Sequence, residues 1–316
     1  MTGVVTKSTG SWYTVRVDDE TVVDCRIKGK FRLSGIKSTN PVTVGDVVDF
    51  DFENSGEGSN VNGIITKIHN RKNYIIRKSV NLSKQTHIIA ANIDKVFLLV
   101  TIDNPPTSTS FIDRFLATAE AYSIPAVLLF NKIDLYSKEL LQKKQDLEKI
   151  YGAIGYECLD ISAKEKTNIN ELKLIMKDKV SMFSGHSGVG KSTLVNAIYP
   201  ELDLKTAEIS TQHKQGQHTT TFAEMFVLPF GGYIIDTPGI KGFGVVEFEK
   251  QNIGDYFPEF FAIKHNCKFN NCLHLKEPNC AIKTAVENNE IAQSRYVSYL
   301  QLLEGENENY RIDDWG

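Results

Sequence analysis

The sequence has no long hydrophobic run, no excess of charge of either sign and few cysteines. Its longest aliphatic stretch, Val96 to Val100, is far shorter than the roughly 20 residues of a membrane-spanning helix. Residues 1–7 contain no basic segment followed by an apolar block, so we expect no secretory signal. The 36 basic and 39 acidic side chains give a formal charge of −3. Any contact with nucleic acid must therefore come from a local basic patch.

Five cysteines among 316 residues are too few and too unevenly placed for a disulfide framework. Three lie between residues 267 and 280, which favours a reduced protein with a metal-binding cluster. Cys25 and Cys158 lie in strand patterns and are expected to be small core residues. At roughly 100–200 residues per domain, the length predicts two or three domains.

Residues 1–75 are predicted to form a small barrel of about five strands. The pattern suits a barrel of the oligonucleotide-binding (OB) type, although an SH3-like barrel would give a similar one. Phe31 and Tyr74 are surrounded by basic residues, a combination that attracts phosphate and stacks bases. These basic residues are Lys28, Lys30, Arg32, Lys37, Arg71, Lys72, Arg77 and Lys78. A solvated charged face on a barrel without a ligand is the alternative.

Strands alternate with helices further along, which predicts a parallel sheet covered by helices on both faces. The strand patterns lie at 95–102, 125–130, 156–161 and 179–183, and the helical patterns at 111–122, 137–151 and 169–176. Beyond residue 245 the chain is predicted to be mostly helical. We therefore predict three domains, at residues 1–75, 85–245 and 246–316.

One segment matches the pattern of a phosphate-binding loop in full: Gly185-His186-Ser187-Gly188-Val189-Gly190-Lys191-Ser192-Thr193. It lies between an apolar strand and a helix. Its glycines let the backbone wrap so that successive N–H groups point at phosphate oxygens. The N-terminus of the following helix adds to the attraction for phosphate. Lys191 is expected to reach the β- and γ-phosphates of a nucleoside triphosphate, and the Ser192 hydroxyl to ligate Mg²⁺.

A second motif, Asn131-Lys132-Ile133-Asp134, follows a predicted strand and indicates which base is bound. The Asp134 carboxylate can accept two hydrogen bonds from N1 and N2 of guanine, whereas adenine lacks that donor pair. Asn131 and Lys132 are expected to brace the loop and cover the base. Ser162-Ala163-Lys164, again after a strand, is expected to contact the base through its backbone and Ser162.

The last nucleotide motif is Asp236-Thr237-Pro238-Gly239. Asp236 is expected to hold Mg²⁺ through water and Gly239 to sense the γ-phosphate. All four motifs follow predicted strands, and open α/β sheets bind ligands at the carboxyl ends of their strands. In common GTPases the phosphate loop comes first, but here base recognition precedes it. The order predicts a circular permutation, which needs no new fold because domain termini usually lie close together.

Cys267, Cys272, His274 and Cys280 bring three thiolates and an imidazole into one short segment. This donor set suits tetrahedral Zn²⁺ with no open position, which indicates a structural site. Coincidental reduced cysteines are the alternative, and His265 is a weaker candidate ligand.

The permuted motif order, the N-terminal barrel and the Cys/His cluster together resemble the circularly permuted GTPases that assemble the small ribosomal subunit, the RsgA family. The resemblance covers nearly the whole chain. It implies a circularly permuted α/β P-loop GTPase domain, an N-terminal OB-type β-barrel and a C-terminal, mainly helical zinc-binding domain. It also implies GTP or GDP, Mg²⁺ and Zn²⁺ as ligands, the zinc being held by the four residues named above.

As a partner, the resemblance implies the small ribosomal subunit with its ribosomal RNA, in the bacterial cytoplasm. The protein would aid late maturation of the subunit, which would stimulate its GTPase activity. We expect a monomer without membrane contact. A GTP-gated RNA-binding chaperone with negligible hydrolysis is the alternative, while Asp134 disfavours an ATP-dependent kinase.

The residue that orients the attacking water is not the usual one. Many GTPases have a glutamine where this chain has Ile240, which cannot hydrogen-bond. His218 is the best candidate to act with Lys191 in catalysis, since the resembled family has a histidine followed by threonines there and is thought to use it. Contact with RNA or a plain surface position is the alternative. One of Thr219, Thr220 and Thr221 is expected to complete the Mg²⁺ shell, and Thr220 is favoured.

Overall fold

The computed structural model describes residues 1–18, 21–27, 41–53, 62–78, 86–202, 223–236 and 248–305, with the backbone alone at residues 77, 78, 86, 87 and 236. The chain divides into two compact units. The first unit contains residues 1–97, 162–184 and 190–245, and the second contains residues 98–161, 185–189 and 246–316. The three domain boundaries given above stay a prediction.

The described residues form strands in the first third of the chain and mixed strands and helices beyond it. The strands are β1 (Thr2–Ser8), β2 (Tyr13–Arg16), β3 (Val22–Ile27), β4 (Val47–Phe52), β5 (Gly63–Ile68), β6 (Tyr74–Lys78), β7 (Thr86–Ala91), β8 (Lys95–Val100), β9 (Ala126–Phe130), β10 (Glu157–Asp160), β11 (Val180–Ser184), β12 (Glu224–Val227) and β13 (Tyr233–Asp236). The helices are α1 (Thr109–Ala121), α2 (Lys138–Ile154), α3 (Ile169–Met176), α4 (Lys191–Ile198), α5 (Pro258–Ile263), α6 (Ala281–Glu287) and α7 (Gln293–Glu304). Each strand and helix predicted between residues 95 and 183 is present.

The first five strands close into a barrel. Their order is β1-β2-β3-β5-β4, and β4 returns to pair with β1. Among the described barrel strands, the β3–β5 pair alone is parallel, whereas the strands of an SH3-like barrel are antiparallel, so the OB-type prediction is confirmed. In the barrel interior a Cβ on Gly63 would lie 2.5 Å from the Cys25 sulfur and 2.8 Å from the Phe50 ring, so only glycine fits there. Cys25 is fully buried, as a core residue should be.

The strands β6 and β7 form an antiparallel hairpin that the sequence patterns did not predict. Ahead of it, the Arg71 guanidinium donates from Nε and Nη2 to the two oxygens of the buried Asp46, at 2.6 and 2.7 Å. A further bond reaches the carbonyl of Pro41 at 2.8 Å. With its side chain only 7% exposed, Arg71 is part of a buried ion pair and not of an exposed basic patch. Lys72 pairs with Asp94.

In the first unit, the strand that precedes the phosphate loop is hydrogen-bonded through its neighbours to the barrel. β11 runs parallel to β13, and β12 pairs antiparallel with β13. β12 then pairs with β1, where Lys7 faces Glu224 and their side chains form an ion pair at 3.1 Å. Because the ion pair is exposed, its contribution to stability is small. The connection between β12 and the barrel therefore depends mainly on the pairing of the strands.

In the second unit, β9 and β10 pair in parallel. Serine caps set where both flanking helices begin, since the Ser108 hydroxyl accepts from the N–H of Phe111 and the Ser137 hydroxyl from that of Leu140. Helices α5–α7 enclose an aromatic core of Phe257, Phe260 and Tyr299, which also includes Ala117 of α1. Within the described part of the chain, no helix combines the length and apolarity that crossing a bilayer requires.

A buried arginine joins α1 to the C-terminal helices. Arg295 donates to the Asp113 carboxylate at 2.8 Å and to both oxygens of Glu259 at 2.7 and 3.0 Å. Its guanidinium lies over the Phe257 ring, 4.5 Å from the centroid. Tyr151 donates a further hydrogen bond to Asp113 at 2.8 Å. Burial raises the pKa of Asp113, with Arg295 acting in the opposite direction, so this carboxylate depends on its partners to stay ionised.

Candidate functional site

The predicted base-binding segment begins where β9 ends. Asn131 is buried, and its N–H donates to the carbonyl of Val100 at the end of β8, at 2.8 Å. Its side-chain Nδ2 donates to the carbonyl of Val189 in the phosphate loop, at 2.7 Å. Asn131 thus ties the base-binding segment to the phosphate loop.

Lys132 makes a second connection between these two segments. Its Nζ donates to the carbonyl of Gly188 in the phosphate loop at 2.8 Å, and also to the carbonyl of Asn104. The backbone of Lys132 is left-handed, with φ of +65°, a conformation that non-glycine residues adopt rarely. The structure therefore places its ammonium on one carbonyl of the phosphate loop and one of the loop that follows β8.

Asp134 lies in a single 3₁₀ turn, Ile133–Leu135, directly after the left-handed residue. The N–H of Ile133 donates to the carbonyl of Ile161 at 3.4 Å, so the turn is held against the chain that leaves β10. The Asp134 residue itself is exposed. A carboxylate in this position is open to a donor pair such as N1 and N2 of guanine.

Asn104, whose carbonyl accepts a hydrogen bond from Lys132, belongs to none of the sequence motifs. It belongs to the loop after β8, where the Thr101 hydroxyl donates to the carbonyl of Pro105. The same loop lies against the phosphate loop, since a Cβ on Gly188 would be 3.4 Å from Cδ of Pro105. The Asn-Pro-Pro sequence indicates a break in regular structure. The local sequence does not indicate which carbonyl of this loop accepts the hydrogen bond from Lys132.

The phosphate loop runs from the end of β11 to the start of α4. Gly188 and Gly190 have φ of +81° and +99°, which glycine adopts without the steric cost other residues have. Gly190 is the N-cap of α4, and Lys191 is its first residue, so Ser192 and Thr193 lie in the first turn. First-turn N–H groups have no partner within a helix and attract phosphate. Ahead of them, the His186 ring lies against Phe111 of α1, with 3.7 Å between centroids.

The Ser162 segment closes on itself in the first unit. Ser162 is fully buried, and Ala163 is nearly so. The Ser162 hydroxyl accepts from the N–H of Glu165 at 3.0 Å, and the backbones of Ser162 and Thr167 bond to each other. Lys164 is exposed and lies 3.8 Å from the Glu165 carboxylate. The serine side chain therefore shapes this loop.

The remaining residues predicted to contact the nucleotide lie near or outside the ends of the described ranges. Asp236 is the last residue of β13, and only its backbone is described. Outside the described residues lie Gly239, Ile240, His218 and the three threonines, Thr219, Thr220 and Thr221.

The structure brings the four predicted metal ligands together. Ligand atoms of Cys267, Cys272, His274 and Cys280 all lie within 4.8 Å of one another. His274 Nδ1 is 3.3 Å from the Cys280 sulfur and 3.7 Å from the Cys267 sulfur. Around a tetrahedral zinc with Zn–S of about 2.3 Å and Zn–N of about 2.0 Å, ligand atoms are separated by about 3.5–3.8 Å. The side chains therefore fit such an ion with only small shifts.

Groups around the cluster fix the backbone of His274, which is left-handed with φ of +58°. Hydroxyls of Tyr296 and Tyr299 donate to the carbonyls of His274 and Leu273 at 2.6 and 2.8 Å. The Glu277 carboxylate accepts from the N–H groups of Leu273 and Leu275. Burial lowers the pKa of His274, which favours the neutral imidazole that a metal requires. Sequence spacing predicts the four candidate ligands but not these supporting residues.

A segment with a guanine-recognition motif that precedes a phosphate loop, and is bonded to it, defines a P-loop GTPase in circularly permuted order. The family model for the RsgA GTPase matches residues 68–246, and that for the RsgA N-terminal domain matches residues 2–59. The chain belongs to the RsgA GTPase family, and as an enzyme it is a GTPase.

Relatives and solved structures agree over nearly the whole length. "Small ribosomal subunit biogenesis GTPase RsgA" of Christiangramia forsetii is 64% identical over 100% of this chain and 99% of its own. The protein of the same name from Bacteroides fragilis is 54% identical over 98% of each chain. The crystal structure of YjeQ from Thermotoga maritima aligns with a TM-score of 0.77 at 36% identity, over 96% of this chain and 97% of the other. For YloQ, described as a circularly permuted GTPase, the TM-score is 0.74 at 30% identity, over 96% and 94%.

Proposed function

We propose that this GTPase binds GTP between the Asn131–Asp134 segment and the phosphate loop, hydrolyses it with Mg²⁺, and serves biogenesis of the small ribosomal subunit. The observation that carries the nucleotide part is the pair of side-chain bonds from Asn131 to Val189 and from Lys132 to Gly188. Through these bonds the segment that reads the base and the loop that binds phosphate form one assembly.

Each predicted residue has one role in this proposal. Asp134 selects guanine, and the Ser162-Ala163-Lys164 segment covers the base from a second loop. Residues 185–193 bind the phosphates through backbone N–H groups, and Lys191 neutralises charge that develops on the β- and γ-phosphates. Ser192, Thr220 and Asp236 would hold Mg²⁺, which supplies further charge neutralisation, and Gly239 senses the γ-phosphate.

His218 orients the attacking water in this proposal, because Ile240 occupies the position of the usual glutamine and cannot hydrogen-bond. Positioning and charge stabilisation dominate phosphoryl transfer, so a single imidazole in the first switch suffices for this role. The sequence His218-Thr219-Thr220-Thr221, which matches the histidine followed by threonines of the family, supports the role of His218 in orienting water.

The Cys/His cluster holds Zn²⁺ as a structural ion. All four protein ligands are supplied by one short segment, which leaves no open position for a substrate. Two of the ligands, Cys267 and Cys280, belong to the same buried cluster as Phe257 and Phe260. The ion would therefore fix the core of the C-terminal helices.

The partner is the small ribosomal subunit with its ribosomal RNA, encountered by a monomer in the cytoplasm. Support comes from the names of the relatives, which are 50–64% identical. The OB-type barrel adds a fold that often binds single-stranded nucleic acid.

The test is GTP hydrolysis by the pure protein, alone and with small or large ribosomal subunits. Stimulation by the small subunit alone supports both the activity and the partner. Equal rates in all three conditions, with GTP binding intact, would contradict the subunit-coupled function and favour a nucleotide-gated binding protein.

A further inference from the structure

Tyr136 follows the base-binding segment, and its hydroxyl joins two parts of the chain. The phenolic O–H donates to the carbonyl of Asn131 at 2.7 Å. The same oxygen accepts from the N–H of Ile102, just beyond β8, at 2.9 Å. Burial raises the pKa of this phenol, so it keeps the proton that it donates.

The carbonyl that Tyr136 holds belongs to the peptide unit between Asn131 and the left-handed Lys132. The N–H of Asn131 is fixed on Val100 and its side chain on Val189. With the carbonyl fixed as well, the peptide plane that leads into the Asp134 turn has one orientation.

The other partner of the hydroxyl is also connected to Lys132. Ile102 belongs to the loop whose Asn104 carbonyl receives the Lys132 ammonium. A single oxygen thus links the start of that loop to the residue before Lys132, while the turn itself ends with the Tyr136 N–H donating to the carbonyl of Ile133 at 3.3 Å.

We propose that Tyr136 is a positioning residue for guanine recognition, whose hydroxyl fixes the Asn131–Lys132 peptide and so orients the Asp134 carboxylate. The inference rests on the proposed base-reading role of Asp134. A carboxylate on a turn held in one orientation loses less freedom on binding than one on a loosely held turn.

The test is Tyr136→Phe, which keeps the ring and removes only the bridging oxygen. Affinities for GTP and for inosine triphosphate, which lacks the 2-amino group, are measured by competition. Loss of one bridging hydroxyl typically changes affinity about five- to tenfold. We therefore expect the preference for GTP over inosine triphosphate to fall by that factor, with KM for GTP raised and kcat within about twofold of the wild type.

Tyr156→Phe is the matched control, because it removes a hydroxyl that bonds to Glu120 at 3.1 Å in the same unit. It is expected to leave the GTP-to-inosine preference unchanged. If Tyr136→Phe weakens both nucleotides by the same factor, or neither, the positioning role is wrong.

Asp134→Ala separates this inference from the base assignment on which it rests. One outcome is that Asp134→Ala abolishes the preference for GTP over inosine triphosphate while Tyr136→Phe keeps that preference. In that case Asp134 reads the base, and Tyr136 does not position Asp134. If Asp134→Ala retains the preference, the base assignment fails, and the role of Tyr136 fails with it.

Discussion

Asn131 and Asp134 belong to one short motif, yet one is buried and the other exposed. The motif predicts one role for each residue, an amide that braces the loop and a carboxylate that reads the base, because both roles depend on local side-chain chemistry. It did not predict Tyr136 or Asn104, since a hydroxyl or a carbonyl that supports a motif from another segment leaves no fixed spacing. At the residue scale a motif predicts the groups that would touch the ligand, and the structure adds the groups that hold those residues in place.

Asp134→Asn should change which nucleotide is bound. An amide cannot accept both hydrogen bonds from N1 and N2 of guanine, but it can donate to the C2 oxygen of xanthine. We expect GTP affinity to fall roughly 100-fold, as for one lost charge-assisted hydrogen bond and the weakening of the other, and xanthosine triphosphate to bind better than GTP. Competition binding with both nucleotides measures the change.

Asp146→Asn is the control for that exchange, because it makes the same change on an exposed carboxylate of α2 that bonds Gln142. It should leave both affinities within about twofold of the wild type. Unchanged discrimination in Asp134→Asn would mean that another group reads the base.

Arg71 shows where composition misleads. Counting basic residues around Tyr74 placed it in a patch for nucleic acid, but its guanidinium is buried on Asp46. The partner lies far away in sequence, so the ion pair could not be inferred from neighbouring residues. A basic residue counts toward a phosphate-binding surface only when its charge remains exposed.

At the scale of elements, regular periodicity was the reliable signal. The predicted helix at 169–176 matches α3 in both bounds, and the pattern at 111–122 gives α1 within two residues. The hairpin of β6 and β7 was missed because its strands carry Arg77 and Lys78, whose charge obscures alternation.

Helix α1 has contacts of two kinds that its periodicity does not reveal. Phe111 lies against His186 of the phosphate loop, and Asp113, two positions on, bonds to Arg295 of α7. The helix thus contributes both to the surroundings of the nucleotide site and to the core of the C-terminal helices.

Arg295→Ala should therefore destabilise the protein strongly. It leaves Asp113 buried without its cation and removes the contact with Phe257. Breaking a buried pair on one side typically costs about 3–5 kcal/mol. Urea unfolding followed by circular dichroism measures the loss.

Lys149→Ala provides the comparison, because its ion pair with Asp146 at 3.5 Å is exposed. We expect a change below about 0.5 kcal/mol for it. A loss under about 1 kcal/mol in Arg295→Ala would show that the buried pair contributes little to the fold.

For the molecule as a whole, the order of motifs carried more information than any one motif. It predicted the permutation. The strand and helix patterns along the chain predicted a barrel, an α/β region and a mostly helical C-terminal region. Closure of the barrel through a parallel β3–β5 pair, and the pairing of β1 with β12, depend on contacts between distant residues. No local pattern specifies such pairings, since many registers satisfy the same alternation.

Removal of the metal should affect one part of the molecule more than the other. In Cys280→Ser, one thiolate of the cluster is lost, and metal binding contributes directly to folding at structural sites. We expect loss of bound zinc by elemental analysis and faster proteolysis of the C-terminal helices. Affinity for GDP should stay within about threefold, because the bonds of Asn131 and Lys132 use no residue beyond 189.

Cys158→Ser controls for the loss of a thiol, since Cys158 lies outside the cluster on β10. It should retain the zinc and the protease resistance of the wild type. If Cys280→Ser loses GDP binding as well, the C-terminal helices and the nucleotide site form one cooperative unit.

The catalytic assignment is tested best with the partner present, because stimulated turnover reports on the assembled site. A positioned imidazole typically contributes about 10²–10⁴-fold to a reaction, and Ile240 offers no substitute. His218→Ala should therefore lower hydrolysis stimulated by the small subunit by about 100-fold or more, while GTP affinity stays within about twofold. His213→Ala changes a neighbouring histidine and should retain the stimulated rate. Full turnover in His218→Ala would remove this residue from the mechanism and leave orientation of water to the ribosomal partner.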